Sequence, residues 1–105
     1  MVRVEFFYSR RCAHCRRAKS VVMGIEQQFR IRFKKDLVQE KVEVEMVNIL
    51  MSRGRRRAVK YGIRGVPTIV VNGKKKIVGV PRKKDLRKLI EKAMEKRKKP
   101  RWKFW

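Results

Sequence analysis

The segment VEFFYSRRCAHCRRAK, residues 4–19, joins a run of apolar and aromatic residues to a Cys-x-x-Cys motif. The run VRVEFFYS (2–9) is almost continuously apolar, which is typical of a central β-strand covered on both faces. After Cys12 the apolar residues recur every three or four positions, as they do on one face of an amphipathic helix. The two cysteines are therefore predicted to lie where a strand meets a helix, and this junction decides the fold.

The remaining sequence predicts three more strands and two more helices. The first helix is expected to extend to about residue 40, and either to overhang the domain or to bend near Gly24. Residues 41–50 alternate apolar and charged side chains, which indicates a second strand. Ser52 is a candidate N-cap for a short basic helix that Gly62 would end. PTIVV and KIVGV flank NGKK as a β-hairpin, and residues 82–99 have the pattern of an amphipathic last helix.

The predicted order β-α-β-α-β-β-α indicates an α/β fold with a four-stranded mixed sheet flanked by helices. A strand–helix–strand unit pairs its strands in parallel through a right-handed crossover, whereas hairpin strands pair antiparallel. A chain of 105 residues fits one compact domain. We assign this domain to residues 1–99 and treat residues 100–105, PRWKFW, as a basic and aromatic tail.

The position of Cys12 favours a reactive thiolate. We expect it at or just before the first helical turn, where unpaired N–H groups and the helix dipole stabilise an anion. Positive potential is added by five neighbouring side chains: Arg10, Arg11, His14, Arg16 and Arg17. Cys15 is expected one turn further into the helix and more buried. This division suits thiol–disulfide exchange, in which Cys12 attacks a partner's disulfide and Cys15 resolves the mixed disulfide.

Three other interpretations of the cysteine pair remain open at this point. A structural zinc site normally needs four Cys or His ligands, and the chain has two Cys and one His. A metal ion or iron–sulfur cluster would therefore have to bridge two subunits, and no metal or cofactor is expected in a monomer. The pair is otherwise a structural crosslink or an inert remnant of a redox site. A loop of two residues, however, restrains the unfolded chain very little.

The sequence resembles the thioredoxin superfamily, and most of all its small archaeal thioredoxin- and glutaredoxin-like members. The resemblance rests on VEFFYSRRCAHCRRAK, on KYGIRGVPTIVV (60–71) and on KKKIVGVPRKKDLRKLIEKAM (74–94). It implies a thioredoxin-fold oxidoreductase that acts on disulfide-containing proteins and is regenerated by an upstream thiol reductase. It also implies a cis peptide at Val66–Pro67 facing the cysteines, with Val66 pairing with the substrate backbone and Gly79 beside the substrate groove.

Three positions depart from the pattern of that superfamily. Arg11 stands where thioredoxins carry an aromatic residue, so the site is expected to be more open and more cationic. Cys-x-His-Cys is similar to the motif of protein disulfide isomerase, so His14 is expected to raise the reduction potential above the roughly −270 mV of thioredoxin. Phe6 replaces a buried acid, and Glu5 is expected to point to the opposite face of the sheet. Proton transfer at Cys15 would then pass through water.

The charge of the chain leaves a second class of function open. Lys and Arg number 32 against 9 Asp and Glu, which gives a formal net charge of +23 that attracts polyanions. The alternative is a cationic thioredoxin-fold module that docks non-specifically on nucleic acid or the ribosome, although no nucleic-acid-binding motif is visible. No apolar stretch approaches the ~20 residues of a membrane-spanning helix, and secretory-signal features are lacking. We therefore expect a cytoplasmic monomer with no stable membrane insertion.

Overall fold

The structure, a computed structural model, describes residues 1–36 and 41–98. Its elements follow the order predicted from the sequence: β1 (Val2–Tyr8), α1 (Cys15–Asp36), β2 (Val42–Asn48), α2 (Ser52–Lys60), β3 (Thr68–Val71), β4 (Lys75–Val78) and α3 (Lys83–Lys98). The predicted end of the first helix near residue 40 and the tail at 100–105 lie outside the described residues.

The four strands form one mixed sheet in the order β2-β1-β3-β4. Strand β1 pairs in parallel with β2 and antiparallel with β3, and β4 pairs antiparallel with β3. The mixed sheet predicted from the strand–helix–strand unit and the hairpin is therefore confirmed. Because β1, β2 and β4 run in one direction and β3 in the other, the residues that follow β1, β2 and β4 and those that precede β3 lie at the same end of the sheet. We call this the upper edge; it comprises residues 9–14, 49–51, 64–67 and 79–82.

Both faces of β1 are buried from Val4 to Phe7, which explains its nearly continuous apolar run. Phe6 faces the larger core, which also contains Cys15 from α1 and Leu86 from α3. Phe7 faces a smaller core, where it packs with Ala58 of α2. Helices α1 and α3 thus cover one face of the sheet, and the short helix α2 covers the other. Burial on both faces is the condition under which a strand loses the alternation of polar and apolar residues.

The start of α2 differs from the prediction. Ser52 is the first helical residue and Met51 occupies the N-cap position, with no side-chain cap. The chain turns earlier because the side chain of Asn48 accepts a hydrogen bond from the Leu50 N–H at 3.0 Å, an Asx turn. Gly62 ends the helix as predicted, with a positive φ of 69° and its N–H bonded to the Val59 carbonyl at 3.0 Å.

A buried carboxylate lies under the C-terminal end of α2. Glu5 is 2% exposed, and its Oε1 accepts a hydrogen bond from the Tyr61 hydroxyl at 2.8 Å. Its Oε2 accepts no hydrogen bond from the described residues and lies 3.4 Å from Nη1 of Arg57, which also contacts Glu45 at 2.7 Å. Glu5 therefore points away from Cys15, as its position next to Phe6 predicts. The hydrogen bond to Glu5, and secondarily burial, raise the pKa of Tyr61 above its ordinary value.

Replacing Tyr61 by Phe is expected to lower the free energy of unfolding by about 1–3 kcal/mol, because the buried Glu5 carboxylate loses the hydroxyl that donates to it. The Tyr61 pKa is raised in the folded state. The hydroxyl therefore stabilises fully below the unfolded pKa, near 10, and its contribution is lost as pH rises through the folded pKa. The difference between wild type and Tyr61→Phe should shrink above about pH 10 in denaturant titrations.

Tyr8→Phe provides the control for this measurement. The Tyr8 ring stacks on Phe6 at a centroid distance of 5.9 Å, but within the described residues its hydroxyl makes no hydrogen bond. We expect it to change the unfolding free energy by less than about 0.5 kcal/mol, as surface substitutions usually do. Equal losses in both variants would show that the Tyr61–Glu5 bond adds nothing to stability.

Candidate active site

The loop between β1 and α1 is shaped by Ser9. Its carbonyl accepts a hydrogen bond from the Cys12 N–H at 3.3 Å, and its hydroxyl accepts one from the Arg11 N–H at 3.2 Å. These two bonds fold the chain back after the strand and set Cys12 just ahead of α1. From the strand pattern alone, Ser9 is only the residue at which the apolar run of the first strand ends. Its role in the turn could have been predicted, because a Ser side chain in a turn frequently forms a hydrogen bond with the backbone two residues further along the chain.

Cys12 and Cys15 form a disulfide pair, with their Cα atoms 5.4 Å apart. Cys15 is 6% exposed and packs in the larger core, whereas Cys12 is half-buried in the loop. The greater burial of Cys15 is as predicted. Its predicted place one turn inside the helix is wrong: Cys15 is the first helical residue, and the first bonded turn runs from the Ala18 N–H to the His14 carbonyl. Residues 12–14 therefore form a turn outside the helix, which still brings the sulfurs together.

A cleft of about 280 Å³ reaches both cysteines from the side of the edge strand β2. The cleft has an apolar part and a cationic part, and it has no acidic side chain among the described residues that line it. Its lining comprises Phe6, Tyr8 and Met46 below the disulfide, and Ser9, Arg10, Arg16 and Lys19 around it. Sequence reasoning did not predict this cleft, because it depends on Met46, which is brought next to Phe6 only by strand pairing.

The Val66–Pro67 peptide bond is cis. Pro67 is buried, and Val66 is half-buried and packs against the same core as Cys12 and Cys15. The Gly79 N–H donates to the Pro67 carbonyl at 2.9 Å, so the chain after β4 lies against the start of β3. Gly79 has a φ of +87°, a conformation that L-residues with a side chain rarely adopt, and a Cβ there would meet no atom within 4 Å.

Arg11 and His14 are exposed, and neither side chain makes a hydrogen bond or ion pair in the part of the chain that is described. The structure therefore brings the two cysteines together, and separately brings Pro67 next to Gly79. Both groups lie at the upper edge, and Arg11 and His14 lie on the loop between β1 and α1. Within residues 1–36 and 41–98, no cluster of three or more His, Cys, Asp or Glu side chains could hold a metal ion.

Residues 2–91 match the family model of a thioredoxin domain. The chain belongs to the thioredoxin family. A thioredoxin of Methanocaldococcus jannaschii is 36% identical over 93 residues, covering 89% of this chain and 96% of the relative. A probable thioredoxin of Archaeoglobus fulgidus is 35% identical over 92 residues, covering 88% and 89%. The solved structure of a mutant thioredoxin from Halobacterium salinarum NRC-1 superposes with a TM-score of 0.64 at 26% identity, covering 87% of this chain and 73% of that one.

These comparisons confirm the resemblance, the thioredoxin fold and the class of reaction predicted from the motifs. The chain is a thiol–disulfide oxidoreductase with a redox-active Cys12–Cys15 pair. The two relatives and the solved structure all carry the name thioredoxin, and none of their names refers to nucleic acid. The alternative of a nucleic-acid or ribosome-docking module therefore gains no support. No described helix of the chain is long and apolar enough to cross a membrane.

Proposed function

We propose that Cys12 is the attacking thiol of this thioredoxin-family protein and Cys15 is the resolving thiol. The observation that carries this assignment is the difference in burial across one disulfide. Cys15 is 6% exposed within the larger core, whereas Cys12 is half-buried in a loop ahead of the helix. A protein substrate can therefore approach Cys12 more easily. The N-terminus of α1 and the neighbouring arginines favour the thiolate form of that residue.

The proposed reaction transfers two electrons from the dithiol to a protein disulfide. The Cys12 thiolate attacks one substrate sulfur, the substrate S–S bond breaks, and the other substrate sulfur leaves and takes up a proton. Cys15 then loses its proton and attacks the Cys12 sulfur of the mixed disulfide. The substrate sulfur that was bonded to Cys12 leaves as a thiolate and is protonated. The Cys12–Cys15 disulfide remains. An upstream thiol reductase returns it to the dithiol by the reverse exchange.

Water in the cleft beside the disulfide is the proposed acceptor of the Cys15 proton. The cleft reaches Cys15 and is lined by Phe6 where the thioredoxin pattern has a buried acid. Glu5 cannot serve, because it is bound to Tyr61 on the other face of the sheet. Arg16 and Lys19 at the cleft would favour the thiolate left behind.

The proposed docking groove comprises Val66, Pro67, Gly79 and Arg11. The hydrogen bond between Gly79 and Pro67 aligns the chain after β4 with the cis peptide, and the space beside Gly79 is open. An extended substrate segment can pair there with the backbone of Val66, in the manner of an added strand. Arg11 places an exposed cation next to the disulfide at the position where thioredoxins carry an aromatic residue.

His14 is proposed to stabilise the dithiol form through the Cys12 thiolate, which sets the reduction potential above the roughly −270 mV of thioredoxin.

All proposed site residues come from one chain, so we infer that the protein acts as a monomer. We place it in the cytoplasm, because both cysteines serve the redox motif and no other cysteine is present to form a lasting structural disulfide.

Alkylation of the reduced protein tests the assignment of the two thiols. With iodoacetamide at pH 7, Cys12 should react at least about tenfold faster than Cys15, because it is more exposed and more fully ionised. Peptide mapping by mass spectrometry identifies the modified residue. In His14→Ala the Cys12 rate should fall a few-fold, whereas in Ala13→Ser, an exposed position between the cysteines, it should not change. Faster modification of Cys15 would overturn the assignment.

A further inference from the structure

We propose that the upper edge selects acidic polypeptide segments as its disulfide substrates. This inference rests on the proposed function and adds the chemical class of the substrate. The observation behind it is an unbalanced distribution of charge. The upper-edge segments, and residues 83 and 84 that follow them, contain no Asp or Glu. Helices α1 and α2, which begin at this edge, have no acidic residue in their first turns, and α3, which also begins there, has one, Asp85.

Cations at this edge are exposed and unpaired. Six arginines from the loops and first helical turns form what we call the cationic rim: Arg10, Arg11, Arg16, Arg53, Arg64 and Arg82. No ion pair or side-chain hydrogen bond within residues 1–36 and 41–98 involves the side chain of any of them. Their charge is therefore available to an incoming anion, and several cations of one sign around a site raise the rate of encounter with anionic partners.

The described acids that form ion pairs lie elsewhere. Glu5 and Glu45 contact Arg57 on the α2 face of the sheet, and Glu26 and Glu91 pair with arginines of α1. These pairs neutralise charge along the strands and in helix interiors. None of these pairs involves a cation of the upper edge, so the positive charge there, which is one part of the net +23 spread along the chain, is not offset by them.

Exposed apolar side chains at the same edge favour a polypeptide as the occupant. Leu50 and Met51, in the loop before α2, are 48% and 63% exposed. Val78 and Val80, on either side of Gly79, are 76% and 39% exposed. Val78 pairs with Thr68, the residue after Pro67, whereas Leu50 and Met51 follow β2, two strands away from β3 at the same end of the sheet. The cationic rim has residues near both pairs in the sequence, Arg53 after Met51 and Arg82 after Val80. An extended segment with apolar side chains next to its cysteine and acidic residues further out complements both features.

The test compares two disulfide-bonded peptides that differ only in flanking residues, Glu in one and Lys in the other, with neutral 2-hydroxyethyl disulfide as the reference. Second-order rate constants for the reduced protein are measured at about 20 mM and about 500 mM salt. At low salt the Glu peptide should react at least about tenfold faster than the Lys peptide. At high salt the Debye length falls to about 4 Å, and the ratio should fall below about threefold.

Two double variants separate the field of the upper edge from the charge of the whole molecule. Arg53→Ser/Arg64→Ser removes two charges from the cationic rim, and Lys74→Ser/Lys75→Ser removes two from the β3–β4 hairpin, from the turn and the first residue of β4 at the opposite edge. The first should reduce the Glu-to-Lys ratio at low salt by about threefold or more, and the second should leave the ratio within about 1.5-fold of wild type.

Either of two results would overturn the proposal: equal rates for both peptides at low salt, or equal losses of the ratio in both double variants. Failure of the proposed function has a different signature. In that case wild-type protein would not react even with neutral 2-hydroxyethyl disulfide.

Discussion

Cys12→Ser is expected to reduce disulfide exchange to the rate of the buffer alone. The loss should be at least about three orders of magnitude, the scale seen when a catalytic nucleophile is removed. The physical reason is that a Ser hydroxyl is not ionised near neutral pH, and oxygen does not form a mixed disulfide. Cys12 is half-buried in a loop outside the helices, so the substitution should leave the fold intact. The measurement is the rate of reduction of a disulfide peptide by the dithiol-reduced protein.

Cys15→Ser is the matched variant, because it removes the same atom from the partner residue. Turnover should also stop, but Cys12 can still attack. The expected product is one mixed disulfide per chain between Cys12 and the substrate, which accumulates because no thiol resolves it. Mass spectrometry of the intact protein detects this adduct. An adduct on Cys15 in the Cys12→Ser variant, with none on Cys12 in Cys15→Ser, would reverse the two roles.

The order of elements could be predicted because each depends on a local pattern. The continuous apolar run of β1, the spacing of three and four in α1 and the NGKK turn are all readable within a few residues. The position of the Cys-x-x-Cys motif followed from the same patterns. The cis peptide at Val66–Pro67 and the position of Gly79 were predicted from the family resemblance, because the periodicity of apolar residues carries no information about either.

Contacts between distant residues could not be predicted in the same way. Glu5 and Tyr61 are 56 positions apart, and their hydrogen bond depends on where α2 ends above the sheet. Sequence reasoning gave the face of Glu5, because side chains alternate along a strand, but not its partner. The cleft beside the disulfide likewise requires Phe6 and Met46 to be paired across β1 and β2. The start of α2 was misplaced by one residue because Asn48, rather than Ser52, shapes the turn.

Gly54 is a further residue whose role the sequence pattern concealed. It is buried in the first turn of α2, and a Cβ there would overlap the backbone carbonyl of Asn48 and lie 3.2 Å from the Val47 side chain. The helix can therefore approach the end of β2 only because this residue lacks a side chain. In a helix written SRGRRRAVK, propensity alone would favour Ala at this position.

Gly54→Ala is accordingly expected to destabilise the protein, although Ala is the better helix former. Because the overlapping atom belongs to the backbone, α2 must shift away from β2, and overpacking of this kind costs about 1–3 kcal/mol. Gly24→Ala in α1 is the matched control: a Cβ there meets no atom within 4 Å. It should stabilise by about 0.5–1 kcal/mol, the gain of Ala over Gly in a helix interior.

Denaturant titration of both variants against wild type gives the two changes in unfolding free energy. Opposite signs are the expected result, since the two glycines share secondary structure and differ in what lies beside them. The shift of α2 should also displace the loop that carries Leu50 and Met51 at the upper edge. Gly54→Ala should therefore slow the reaction with disulfide peptides more than the reaction with 2-hydroxyethyl disulfide. Stabilisation by both substitutions would show that the close approach of α2 to β2 does not constrain residue 54.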